Sequence, residues 1–133
     1  MAKAILDASA LLALVHDEPG TRIVEDYLAE AAISAVNLAE VISKLIERGV
    51  PDDRAIAIAL SFGLEIVPFE AKLATIVGQL RPLTRSAGLS LGDRACLATG
   101  KLLGLPVLTA EAAWEEPGKK LGILIINIRP RKH

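Results

Sequence analysis

One cysteine in 133 residues excludes a disulfide within the chain, and Cys96, set among Ala95, Leu97 and Ala98, reads as a small buried hydrophobe. Histidine is nearly as scarce. His16 lies beside Asp17 and Glu18 and reads as a solvated helix-end residue, while His133 is terminal and gives it no partner for acid–base work. Met1-Ala2-Lys3 leads directly into Ala4-Ile5-Leu6-Asp7, without the basic flank, long apolar core and small-residue cleavage site of a secretory signal. The apolar runs fall short of the roughly 20 residues that cross a bilayer. The expected setting is therefore the reducing cytoplasm. Repeats and low-complexity tracts are absent. So are the G-x-x-x-x-G-K-[ST] phosphate loop and a G-x-G-x-x-G turn after a strand, two common ways of holding nucleotides.

What remains suits one domain over residues 1–133 with a basic tail from about residue 129, large enough to bury roughly 65–70% of its unfolded surface. Net charge is −1, but it is unevenly divided: residues 1–71 hold five Lys/Arg against twelve Asp/Glu, and residues 72–133 hold ten against four. The basic half permits an anionic partner, with Arg81, Arg85 and Arg94, then Lys101, Lys119 and Lys120, and in the tail Arg129, Arg131 and Lys132 as candidates. Scattered, solvated charge is the alternative.

Lys3 to Leu6 is a short apolar run that gives way at Asp7 to the Ala/Leu-rich segment Ala8 to Val15, a strand followed by a helix that Asp7 can cap. After a turn at Pro19-Gly20, Ile23, Val24, Tyr27 and Leu28 recur at helical spacing. Ala31 to Ser34 is a second short strand, and Ser34 caps a helix that runs to Arg48 with Leu38, Val41, Ile42 and Leu45 as its apolar stripe. Glu40 falls nearly opposite that stripe and, taken alone, reads as exposed. Pro51 opens the next helix and Gly63 closes it. Leu64 to Val67 reads as strand, Lys72 to Leu80 as helix broken at Arg81-Pro82, and Thr84 to Gly88 as a surface loop. Ser90-Leu91-Gly92-Asp93 has the form of a capping box, opening a helix that is apolar almost all round and ends at Gly104. Pro106 to Leu108 is a strand, Thr109 caps a turn that contains Glu111, Trp114 reads as packing, and Ile123 to Ile128 is a last strand.

Strands that alternate with helices and are nearly continuous in apolar residues predict a doubly wound α/β fold, its parallel sheet covered by helices on both faces. Such a sheet gathers its strand-to-helix junctions along one rim, and Asp7, Glu40, Asp93 and Glu111 all sit at or near such junctions. Each is explicable alone as a complement to a helix terminus. Together they repel: two carboxylates ~4 Å apart cost about 4 kcal/mol at an effective dielectric near 20, so a cluster must hold protons or a cation. An all-oxygen ligand set suits Mg²⁺ or Mn²⁺ rather than zinc, and the commonest use of such a site is phosphoryl chemistry. A phosphatase with an aspartyl nucleophile would carry a second Asp two residues after the first, where this chain has Ser9. A response-regulator receiver would carry a late lysine after a strand, where this chain has Thr109-Ala110-Glu111.

Ile5-Leu6-Asp7-Ala8-Ser9-Ala10-Leu11-Leu12-Ala13, Ile33-Ser34-Ala35-Val36-Asn37-Leu38-Ala39-Glu40-Val41, Leu89-Ser90-Leu91-Gly92-Asp93 and Val107-Leu108-Thr109-Ala110-Glu111 resemble, in order, the four motifs of PIN-domain ribonucleases, and among these the VapC-type toxins of type II toxin–antitoxin pairs. The resemblance runs from about residue 3 to 128. It implies a five-stranded parallel sheet of order 3-2-1-4-5, a homodimer, a cognate antitoxin as protein partner, and Mg²⁺- or Mn²⁺-dependent endonuclease action on RNA. It also implies Asp7, Glu40, Asp93 and Glu111 as catalytic, metal-binding acids, with Ser9 and Thr109 as supporting hydroxyls; for an RNA partner, the basic half of the chain offers Arg81, Arg85 and Arg94 as contacts. One departure is plain: the fourth acid of the family is usually Asp, and here it is Glu111. A catalytically weak PIN-fold module that binds RNA or a protein is the alternative, but such a module has no reason to tolerate the repulsion among the acids.

Overall fold

The computed structural model describes residues 1–129; Arg131, Lys132 and His133, and with them most of the basic tail, lie outside the described residues. Strands β1 (Ala4–Leu6), β2 (Ala31–Ser34), β3 (Glu65–Val67), β4 (Val107–Thr109) and β5 (Ile125–Asn127) form one parallel sheet of order β3-β2-β1-β4-β5. The doubly wound class and the strand order are those expected. The connecting helices are α1 (Ala8–Val15), α2 (Thr21–Leu28), α3 (Ala35–Glu47), α4 (Asp52–Leu60), α5 (Ala71–Gln79), α6 (Arg81–Thr84), α7 (Leu91–Leu103) and, after a short 3₁₀ turn at Ala112–Trp114, α8 (Glu115–Leu121). No helix among the described residues is long and apolar enough to cross a membrane.

Alternation along the central strands divides the core. Ile5, Ala32 and Val107 stand side by side on one face of the sheet, where α5, α7 and α8 cover them. Ala4, Leu6 and Leu108 point to the other face, against α1 and α2, and Ile33 packs there against α1, α3 and α4. Ile5, Leu6, Ile33 and Leu108 are fully buried, each worth about 1.5–3 kcal/mol of transfer free energy. This two-sided burial fixes β1 at the centre of the sheet and fixes the register of β4 beside it. The C-terminal ends of the two strands thus open side by side.

Helix α5 ends before Arg81-Pro82, as expected, and Pro82 sits in the first turn of α6, where a missing N–H costs nothing. Two local expectations differ from the structure. Thr84, assigned to a surface loop for its polarity, is fully buried at the end of that helix, with its hydroxyl donating to the Leu80 carbonyl at 2.8 Å. The last strand is shorter than Ile123 to Ile128 and only half-buried along Ile125–Asn127, because it forms the sheet edge. Its end is still tightly held. Gly20 (φ +98°) lies so close to the Ile128 carbonyl that any Cβ there would run into it, and this close approach brings Arg129 beside the α1–α2 turn.

Candidate active site

Asp7 follows β1 directly, caps α1 through the Ala10 N–H (2.8 Å to Oδ1), and donates its own N–H to the Leu108 carbonyl of the adjacent strand. The residue is 3% exposed. Two hydroxyls complete the surroundings of its carboxylate. Ser9 donates to Oδ1 and Oδ2 at 2.8 and 2.9 Å, and Thr109, at the end of β4, donates to Oδ2 at 2.6 Å. Each hydroxyl oxygen in turn accepts a backbone N–H, Ser9 from Ala110 at 2.9 Å and Thr109 from Glu111 at 3.0 Å. Backbone dipoles from the β4 end are thereby relayed to Asp7, and the hydrogens of both hydroxyls are committed to it. All of these donors are neutral. Burial pushes the Asp7 carboxyl up to about 7 from an ordinary 3.8; the Thr109, Ala10 and Ser9 hydrogen bonds pull it back, and the negative Glu111 adds to the rise.

Asp93 occupies the third position of α7 and closes a capping box: its N–H donates to Ser90 Oγ at 3.2 Å, and its Oδ2 accepts the Ser90 N–H at 2.9 Å. The cap engages one oxygen and leaves the other for the cleft. Structural and functional readings of this residue are therefore compatible. Glu40 is half-buried rather than exposed, because the first turn of α7 packs over the side of α3 that looks outward when α3 is considered alone. Its Oε1 accepts from Asn37 Nδ2 at 2.7 Å, and the same Nδ2 donates to the Gly92 carbonyl at 3.0 Å. Two acceptors on one nitrogen fix the orientation of the amide. Asn37 is 1% exposed, and its Oδ1 has no hydrogen-bond partner among the described residues.

Asp7, Glu40, Asp93 and Glu111 line a single open cleft of about 340 Å³, together with Ser9, Asn37, Lys44, Arg48 and Arg129. Beneath it, the buried Cys96 thiol is pushed up by burial and then by the negative charges of Asp7, Asp93 and Glu40, so the fields of three acids converge on one atom. Thr109 is buried against Asp7 rather than lining the cleft, and Glu111 stands exposed at its rim. Arg81, Arg85 and Arg94 do not line it. Arg94 turns away, with Nη1 donating to the Val77 carbonyl at 3.2 Å, while Arg81 and Arg85 are exposed around α6. Sequence reasoning passes over Asn37, Lys44, Arg48 and Gly92. The first three share a helical stripe with Glu40, a spacing that could have pointed to them, whereas the role of Gly92 depends on how two helices cross.

The donor set fits a hard divalent cation. It is all oxygen, Asp7 is buried among neutral donors alone, and none of the four acids forms an ion pair with a described residue. Among the described residues no group of three or more Asp, Glu, His or Cys side chains stands close enough together to hold a metal ion as placed. The acids instead stand around a common space, and Asp7, Glu40 and Asp93 are each tied to their own donors.

A family model for the PIN domain matches residues 4–120 of the chain. No curated protein matches its sequence. Among solved structures, the chain is similar to the DNA-bound VapBC from Salmonella typhimurium (22% identity, TM-score 0.75, covering 96% of this chain and 99% of that one). It is also similar to a toxin–antitoxin complex from Klebsiella pneumoniae (21%, 0.71, 96% and 99%) and to VapBC-5 from Mycobacterium tuberculosis (21%, 0.61, 94% and 98%). At such identities these likenesses establish the fold.

The geometry has two measurable consequences. Since the Asp7 carboxyl is raised in the folded state, its contribution to stability is complete below the unfolded value of 3.8 and is lost as pH rises through about 7. Metal-free protein should melt progressively lower from pH 4 to pH 7.5, relative to an Asp7→Asn variant that keeps an acceptor for Ala10 and Ser9; parallel pH profiles for the two would count against it. The second concerns Gly92, where a Cβ would lie 2.5–2.6 Å from the Glu40 carboxylate. Gly92→Ala should fold, because alanine favours a helix by up to about 1 kcal/mol and the Glu40 side chain can swing aside. It should, however, lose most of any rise in melting temperature that added Mn²⁺ produces in the parent protein. A full Mn²⁺ response would show that the position of Glu40 is immaterial.

Proposed function

The chain belongs to the PIN-domain family, and on that premise we propose that it is a metal-dependent endoribonuclease, the toxin of a type II toxin–antitoxin pair. The observation that carries this reading is the single cleft at the β1 and β4 ends, lined by four carboxylates without a cationic partner among the described residues. Asp7, Glu40 and Asp93 would hold Mg²⁺ or Mn²⁺, with Glu111 reaching it directly or through water. Bound there, the cation would supply positive charge to the phosphate oxygens and lower the pKa of water. The protein's part is orientation. Ser9 and Thr109 fix the Asp7 carboxylate, the Asn37 amide fixes Glu40, and the capping box fixes Asp93, so little reorganisation is needed when charge develops on the substrate. The expected products carry 5′-phosphate and 3′-hydroxyl ends, as the family resemblance implies.

Total cellular RNA incubated with purified protein should be cut in Mg²⁺ or Mn²⁺ and spared in excess EDTA, and Asp93→Asn should abolish cutting while the variant stays folded by circular dichroism. Undiminished cutting in EDTA, or full activity of the variant, would overturn the mechanism, whereas binding without cutting would favour an RNA-binding module.

The proposal extends to partners. Ile46 on α3 and Ile56 and Leu60 on α4 are 39–51% exposed, an apolar surface suited to a second copy of the chain and to a small antitoxin. Light scattering at micromolar concentration should return a dimer, and a small protein encoded beside the gene should suppress cleavage. A monomer, or a neighbour without effect, would remove the corresponding partner.

A further inference from the structure

Lys44 and Arg48 line the cleft alongside the four acids, in the last turn and at the C-cap of α3, where their charge also complements the helix dipole. Asn37, Glu40, Lys44 and Arg48 succeed one another along one stripe of α3, and each step of four residues advances about 6 Å. The stripe begins at Glu40, where α7 covers the helix, and leads outward to the two exposed bases. A glutamate one turn before a lysine is the favourable order for an intrahelical ion pair. That pair is not formed: Glu40 Oε1 is engaged by Asn37, and neither Lys44 nor Arg48 has an acidic partner among the described residues. Arg129, the third base on the cleft, is by contrast held by Glu18 at 3.7 Å. Two unpaired cations, one helical turn apart and leading away from a carboxylate site, match a ligand that carries negative charges at regular intervals.

We propose that Lys44 and Arg48 form a phosphate track that holds two successive phosphates of single-stranded RNA next to the bond being cut. This rests on the endoribonuclease reading above. The acids then receive the scissile phosphate, and the strand leaves along α3 with a stride on the order of one extended nucleotide. A single strand is favoured over a duplex because the two charges lie on one narrow stripe and the cleft has the volume of a pocket for one small ligand. The bases act on binding and register, not on the chemical step.

The test is the salt dependence of binding to a fluorescein-labelled single-stranded RNA, measured in an Asp93→Asn background to prevent turnover. Removing one cation that neutralises a phosphate of a single strand should flatten the log K against log[salt] slope by about 0.7, so Lys44→Gln/Arg48→Gln should flatten it by about 1.4. Arg81→Gln/Arg85→Gln should leave the slope as it was. With Asp93 intact, Lys44→Gln/Arg48→Gln should raise KM for RNA and preserve kcat. An unchanged slope, or equal flattening by the Arg81/Arg85 pair, overturns the track; if RNA is still cut in a metal-dependent manner, only the track falls and the nuclease reading stands. A flattened slope in a protein that cuts no RNA keeps the track and removes the nuclease reading.

Discussion

A carboxylate buried at the end of the central strand, surrounded only by neutral donors, is the constraint on which the rest of this site depends. Asp7 cannot leave: it caps α1, its N–H is tied to β4, and Ser9 and Thr109 both commit their hydrogens to it. Nor can it ionise freely, since the same burial raises its carboxyl to about 7. Its neutral donors offset that burial only in part, so the sheet holds an acceptor whose full charge calls for a positive partner from the cleft side. The other acids approach that side from different elements, Glu40 from α3, Asp93 from α7 and Glu111 from the turn after β4, each at a helix or turn that opens toward the rim.

Helix α7 does most of the assembling. Its small and apolar residues let it lie across β1, β2 and β4, with Ala95, Cys96, Leu97 and Ala98 fully buried. Because it is fixed so deeply, its first turn can place Asp93 and lay the Gly92 backbone against Glu40 and Asn37 at the same time. The capping box, which alone explains an aspartate at this position, also prevents that turn from fraying. Helix stability and acid placement are the same set of hydrogen bonds.

Much of this was legible in the sequence because it depends on local pattern. The apolar strands, the Ser34 and Ser90 caps and Asp7 at a strand-to-helix change are statements about neighbours along the chain, and the sheet brings their consequences together as a parallel α/β rim should. What escaped is set by crossings between distant segments. The periodicity of α3 alone turns Glu40 to solvent; only the passage of Gly92 over that face makes it part of the cleft. Arg94 looked like an RNA contact because it belongs to the basic half of the chain, but the 100° turn between consecutive helix residues carries it away from Asp93 and toward Val77. Thr84 looked like loop because polarity was read without its hydroxyl's bond to Leu80.

The relay through Ser9 and Thr109 joins residues about a hundred positions apart, since Asp7 follows the first strand of the sheet and Thr109 ends the fourth. Pairings of such long sequence separation form late, after the intervening chain has been ordered. On the ribosome, a nascent chain exposing its first hundred residues already contains Asp7, Glu40 and Asp93, but β1 then lacks one of its two neighbours and Asp7 lacks the donor from β4. The surroundings of the central acid are completed only when the end of the fourth strand has emerged, so competence at this site is among the last properties the growing polypeptide acquires.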